Sequence, residues 1–230
     1  MRPETLTSLL AARAGKQAVA LVSHLDSGAQ TLVFYDRTEG QLDLDEEILT
    51  AARDALRDDK SGRLRTGDTP LFVQVFNPPK RMIIVGAVHI AQPLVTLAQT
   101  SGYEVVIVDP RGAFATRDRF PGVTLSEDWP DDALKEIGVD NRTAIVTLTH
   151  DPKLDDPALH IALRSEAFYV GSLGSKRTHA GRVERLTAAG YTEIEIRRIH
   201  APVGLAINAK SPAEIAISVM AQITQVLHGK

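Results

Sequence analysis

The chain has 230 residues, 43% hydrophobic and 24% charged, with a formal net charge of −3, enough apolar material for one large domain or two small ones. Residues 1–80 hold 10 basic and 12 acidic side chains and the rest 16 and 17, net −2 and −1, so neither part has the basic excess that nucleic acid or an anionic membrane demands. The absence of cysteine excludes disulfides, thiolate metal sites and cysteine nucleophiles; no run nears the roughly 18 apolar residues of a membrane helix, residues 1–16 lack a secretory pattern, and a cytoplasmic location is expected.

Residues 3–14 predict a helix, with Pro3 suited to its first position and Leu6, Leu9 and Leu10 sharing one face. Two β-rich runs, 18–22 and 31–35, flank Asp26-Ser27-Gly28 and predict a hairpin. Residues 43–59 predict a second helix. Its apolar face carries Ile48, Leu49, Ala52 and Leu56, and acidic residues crowd its start, where they complement the helix dipole. Strand-like runs follow at 62–66 and 70–76. Residues 1–76 are therefore expected to form a small α/β lobe built on antiparallel pairing, and Asn77-Pro78-Pro79-Lys80 a stiff linker.

The next stretch organises the remainder. Residues 82–85 form an apolar run ending at Gly86; a helical pattern with Ile90, Leu94, Leu97 and Ala98 continues to Gly102; a second apolar run, 105–108, ends at Asp109. This is the first βαβ of a doubly wound sheet, with an acid where a ribose-binding carboxylate sits. The turn reads Gly86-Ala87-Val88-His89-Ile90-Ala91. Set against G-x-G-x-x-G/A it keeps the first glycine and the final alanine, but Val88 replaces the glycine that lets backbone approach a diphosphate. The fold signal is retained and the NAD(P) signal is weakened.

Beyond it come a short amphipathic piece (113–120), a short run (123–125), a helix (131–137), a buried strand (144–148), a helix (157–165), a strand (168–170) ending at Gly171, and a helix (175–189). After His200 a loop reaches Ser211-Pro212-Ala213-Glu214, a capping box that opens a final helix over 212–227. That helix is apolar on most of its circumference, so burial in the fold or at a contact between protomers is expected, and with it a homodimer. Strand alternating with helix predicts an α/β fold: a Rossmann-like, doubly wound parallel sheet over residues 81–230, preceded by the small lobe.

Such sheets bind ligands beyond the carboxyl ends of their strands, where four loops offer candidates. Gly86 and His89 lie at a helix start, whose dipole favours an anion and a neutral imidazole; His89 could equally just cover the helix end. Asp109 could bind a diol and Arg111 a phosphate, or both could fix a turn. His150 and Asp151 could serve proton transfer, although neighbours in an extended segment point apart, and Asp151 before a proline also suits a turn or cap. Gly171, Gly174, Ser175, Lys176 and Arg177 form the fourth loop, where cations at a helix start are a local cost that suggests a bound anion; a solvated basic face is the alternative. His89, His150, His179 and His200 all fall near this edge, but no short ligand spacing supports a metal site.

Five ordered blocks, GAVHIA at 86–91, VDPR at 108–111, LTHDPKLDDPAL at 148–159, YVGSLGSKRTHAGRVERL at 169–186 and HAPVGLAINAKSPAEIAISVMAQI at 200–223, resemble the XdhC/CoxI family of accessory proteins for molybdenum hydroxylase maturation. The resemblance implies a Rossmann-like domain that binds molybdenum cofactor, as molybdopterin or its dinucleotide form, and delivers it to an apo molybdenum hydroxylase such as xanthine dehydrogenase. It also implies sulfuration by a partner sulfurtransferase. Many members carry glycine where this chain has Val88 and Asn208, and a cysteine in the amino-terminal lobe that it lacks. An accessory protein rather than an enzyme is thus expected, with an NAD(P)-dependent oxidoreductase or a ligand-free Rossmann-like scaffold as the alternatives. A single phosphate tolerates Val88 better than a diphosphate does.

Overall fold

The computed structural model describes residues 1–64 and 70–229, and the chain divides into two compact units, Met1–Pro78 and Pro79–Lys230. The first unit comprises α1 (Pro3–Ala14), β1 (Val19–His24), β2 (Gln30–Val33), β3 (Thr38–Gly40), α2 (Glu46–Arg57), β4 (Gly62–Leu64) and β5 (Leu71–Phe76). Its strands pair antiparallel in the order β3-β2-β1-β5-β4. Alternation along the strands sorts the side chains between two cores. Ala20, Val22, Val33, Leu71 and Val73 meet Ile48, Ala52 and Leu56 of α2, while Val19, Leu21, Leu32 and Phe34 meet Leu9 and Ala12 of α1.

Helix α2 starts where the Asp45 carboxylate accepts the Ile48 N–H. Helix α1 is rotated from the expected face: Leu9 and Ala12 are buried, and Leu6 and Leu10 are exposed. The stripe is centred between Leu9 and Ala12, where a small residue lets the helix approach the sheet. Residues 65 and 66 of the expected strand at 62–66 lie outside the described residues.

The second unit comprises β6 (Arg81–Val85), α3 (Ala91–Thr100), β7 (Glu104–Val108), β8 (Thr124–Ser126), α4 (Pro130–Ile137), β9 (Thr143–Thr147), α5 (Pro152–Leu163), β10 (Tyr169–Ser172), α6 (Lys176–Ala188), α7 (Glu193–Ile196), β11 (Ile199–His200) and α8 (Pro212–His228). All six strands are parallel, in the order β11-β10-β9-β6-β7-β8. This is the doubly wound order, with its switch point between β6 and β9. Both faces of the central strands β6 and β9 are buried, which is why they read as nearly unbroken apolar runs. Met82, Ile84, Ala144 and Val146 face Leu94 and Ala98 of α3 and Val219 and Ile223 of α8; Ile83, Val85, Ile145 and Val170 face α4, α5 and α6.

The Ser211/Glu214 capping box forms as expected, with Pro212 opening α8. Helix α5, however, begins at Pro152 and carries Pro157 inside, five residues ahead of the expected start. Either proline suits a first helical position; the interior one gives up the N–H bond to the carbonyl four residues back and its ring crowds that carbonyl, a cost the buried face of α5 offsets. The amphipathic piece at 113–120 forms turns, closed by Phe114 N–H to Arg111 O and Phe120 N–H to Thr116 O. Among the described residues no helix is long and apolar enough to cross a membrane.

Candidate functional site

The switch point closes tightly. Gly86, at φ +109°, leaves no space for a side chain, since a Cβ there would lie 2.6 Å from Thr149 Cγ2. Its role in this geometry is to let the loop after β9 fold against the turn after β6. Asp109, at the end of β7, is fully buried. Its carboxylate accepts Ala87 N–H at 2.8 Å, Arg111 N–H at 3.0 Å, and Arg111 Nε and Nη2 at 2.9 and 2.8 Å. Burial alone would raise this carboxyl, but the Arg111 side chain and the two backbone N–H groups outweigh it and hold its pKa below the usual carboxylate value.

Asp109 is thus committed to the turn, and a diol contact of the kind the spacing suggests finds it already engaged. Arg111 remains 39% exposed and lies over the Phe114 ring, 4.8 Å from its centroid. His89 is exposed in the turn before α3, while Val88 is half-buried against the core on the α3 side.

The loop after β9 holds His150 exposed, at φ +61°, a left-handed conformation that costs a non-glycine residue about 1–2 kcal/mol. Asp151 does not pair with it. Instead its carboxylate accepts Lys153 N–H at 2.9 Å and caps α5. Thr149 Oγ1 donates to Asp155 Oδ1 at 2.6 Å. Asp155 is 1% exposed, and burial pushes its pKa up despite the Thr149 hydroxyl and nearby Arg182.

Gly171 departs from expectation, for it sits inside β10, not at a ligand-facing edge. A Cβ there would meet Val203 Cγ2 at 2.6 Å and the Tyr169 ring at 2.7 Å. The missing side chain makes room for Tyr169, which stacks on His200 with centroids 4.8 Å apart and donates to Gln222 Oε1 at 2.6 Å. Burial lowers the pKa of His200 and of His179. Among the described residues no group of three or more His, Cys, Asp or Glu side chains is arranged to hold a metal ion.

After β10, Gly174 at φ +143° allows Thr178 to pack 2.9 Å from where its Cβ would be. The Ser175 hydroxyl accepts Thr178 N–H and caps α6. Lys176 and Arg177 follow, both exposed, and neither forms an ion pair among the described residues. One turn further on, Arg182 is 1% exposed. It donates through Nη2 to Leu173 O at 3.1 Å and lies 3.7 Å from Asp155 Oδ2. Burial lowers its pKa, against the pull of Asp155.

A cavity of about 270 Å³ opens here, lined by His150, Asp155, Arg177, Thr178, Arg182 and Arg185 among others. It brings together His150 and Arg177, which the sequence singles out, with Asp155 and Arg182, which it does not. The signal for those two lies in helical phase. Asp155 shares the stripe of Ala158, Leu159 and Ala162, and Arg182 stands one turn before Leu186, so each charge occupies a core-facing position.

The family model described as the XdhC Rossmann domain matches residues 82–223. Two curated relatives are a Bacillus subtilis protein named as a probable xanthine dehydrogenase subunit, 34% identical over 158 residues, and an Escherichia coli protein named molybdenum cofactor insertion chaperone PaoD, 32% identical over 151. The alignments cover 68% and 66% of this chain but 46% and 41% of those proteins, so it spans less than half the length of either. A solved Bacillus halodurans structure described as a xanthine dehydrogenase superposes on 99% of this chain and 65% of its own, with a TM-score of 0.75 and 25% identity. With the doubly wound sheet and the ordered sequence blocks in place, these matches establish that the chain belongs to the XdhC family.

Proposed function

We propose that this chain is a maturation factor that binds molybdenum cofactor at the carboxyl edge of its parallel sheet and delivers it to an apo molybdenum hydroxylase of the xanthine dehydrogenase type. The observation that carries the reading is the exposed pair Lys176 and Arg177 in the first turn of α6, without acidic partners among the described residues. Cations there oppose the helix dipole, and the cost is recovered when an anion is held between them and the backbone N–H groups. In this reading Gly174, Ser175, Lys176 and Arg177 surround the phosphate of the pterin cofactor, and His89, His150 and Arg111 line its flanks. Gly86, Asp109, Asp151 and Gly171 act by fixing the loops that carry those groups. The relatives' names support the cargo and the client. Because the chain has no cysteine, a sulfuration step would draw its sulfur from a partner sulfurtransferase.

Purified protein incubated with released molybdenum cofactor and passed through a gel-filtration column should retain the cofactor and restore activity to an apo-hydroxylase. Replacing Lys176 and Arg177 together by alanine should weaken retention at least about tenfold, the worth of one charge-assisted bond. A wild-type protein that neither retains the cofactor nor activates the apo-hydroxylase overturns the proposal.

A further inference from the structure

Among the described residues, Arg182 has the most buried polar atoms left without a partner. It is 1% exposed, yet its Nε and Nη1 have no hydrogen-bond partner among the described residues, and the facing Asp155 Oδ2 has none either. The ion pair between them runs from Arg182 Nη2 to Asp155 Oδ2 at 3.7 Å, beyond hydrogen-bond reach, and involves neither Nε nor Nη1. Burying a guanidinium with most of its donors unused is a large cost, and a hydrophobic side chain of similar volume would avoid it. Such a cost persists where the group serves something other than packing.

The surroundings indicate what that is. Arg182 and Asp155 line the cavity between the first turn of α5 and the first three turns of α6, and Arg177 and His150 line it with them. Arg185 contributes no free charge, since its Nε and Nη2 hold both oxygens of Asp156 at 2.5 and 3.0 Å. The remaining full charges are Arg177 and Arg182 against Asp155, an excess of one positive charge. The balance is positive. At about 270 Å³ the cavity has roughly nine times the volume share of one water in the liquid, room for a tetrahedral anion with water around it.

We propose that this cavity is an oxyanion subsite, with Arg182 as its buried floor and Arg177 at its mouth, and that it takes the phosphate group of a monoester or a free tetrahedral oxyanion. The inference refines the reading above: it seats the phosphate in this cavity beside the start of α6, with Arg177 common to both descriptions, and it rests on that reading only for the molecule carrying the phosphate. Asp155 opposes the anion and sets an upper limit on its affinity, which suits a site that must release what it binds.

Calorimetric titration with inorganic phosphate, and separately with methyl phosphate, tests the site without the cofactor. Both anions binding identifies a site open to a monoester, and inorganic phosphate alone identifies one for the free ion. Arg177→Ala, at an exposed position, should weaken phosphate at least about fivefold. Asp155→Asn removes the opposing charge and should tighten it at least about threefold. Arg182→Gln should abolish binding, and the two other variants keep the test decisive should it fail to fold. Wild-type protein that ignores phosphate, or affinity unchanged in Arg177→Ala and Asp155→Asn, overturns the subsite. Weaker phosphate binding in Asp155→Asn overturns it as well, in favour of a ligand presenting a hydrogen-bond donor to that carboxylate. The two proposals fail separately: cofactor retained without phosphate binding removes the subsite alone, and phosphate bound without cofactor retention removes the cargo alone.

Discussion

Asp109→Asn tests whether this carboxylate holds the switch point together or faces a ligand. The wild-type side chain accepts four hydrogen bonds, from Ala87 N–H, Arg111 N–H, and Arg111 Nε and Nη2. Asparagine has a single acceptor oxygen, so at best the two donors that share one oxygen keep their partner, and the other two confront an NH₂ group. Two charge-assisted bonds at about 1.5–3 kcal/mol each give about 3–6 kcal/mol. Arg111 is 39% exposed, so water screens and re-solvates it, and the lower end, about 3 kcal/mol, is the expected loss.

Trp129 is the sole tryptophan and lies in the second unit, so its fluorescence in urea follows that unit alone. With a slope of about 1–3 kcal/mol/M, the midpoint should fall by about 1–3 M. A loss under about 1 kcal/mol, accompanied by weaker cofactor binding, would refute the structural assignment and return Asp109 to the role of a ligand contact.

Three further outcomes follow from the same region. Gly86→Ala should cost about 2–4 kcal/mol by the same urea assay, through left-handed strain and the clash with Thr149 Cγ2; adding Thr149→Ser, which removes that methyl, should recover part of the loss, and no recovery would mean the clash is not its source. Asp109 and Asp140 are both held below the ordinary carboxylate pKa, Asp140 because the Thr143 hydroxyl, Arg81 and Arg142 N–H outweigh its burial. Their stabilisation is therefore complete above the unfolded value of about 3.9 and is lost as pH falls through the folded values; acid unfolding followed at Trp129 should be shallower in Asp140→Asn, and an unchanged profile would contradict this. Fluorescence titration with NADH and NADPH should give no saturable binding, because Ala87 N–H and Asp109 are already bonded to each other; saturation would favour a nicotinamide enzyme.

How much of this was legible in the sequence depends on how far each feature's physics is local. The strands expected at 82–85, 105–108 and 144–148 are legible because burial on both faces forces unbroken apolar runs, and the third is displaced by one residue, to Thr143–Thr147. Strand β11 and helix α7 escaped notice because two and four residues are too few to show a period. The role of Gly171 is not legible in the sequence, because a glycine at a strand end looks the same whether it admits a ligand or, as here, a Tyr169 ring from two residues back.

The site divides along the same line. Lys176 and Arg177 were legible because a charge at a helix start is judged against a local dipole. Asp155 and Arg182 were not, because placing the start of α5 at Pro157 left Asp155 outside the helix and hid its phase. Once α5 begins at Pro152, Asp155 falls on the same stripe as Ala158, Leu159 and Ala162, and a charge in the core needs a partner from another element. That partner is Arg182, from α6, and the pair is incomplete by three polar atoms, Asp155 Oδ2 and Arg182 Nε and Nη1. The contrast with Asp109 and Arg111 is informative. There every carboxylate oxygen is used, and the pair locks a turn; at Asp155 and Arg182 donors are left over beside a cavity, and a group of complementary charge has somewhere to bind.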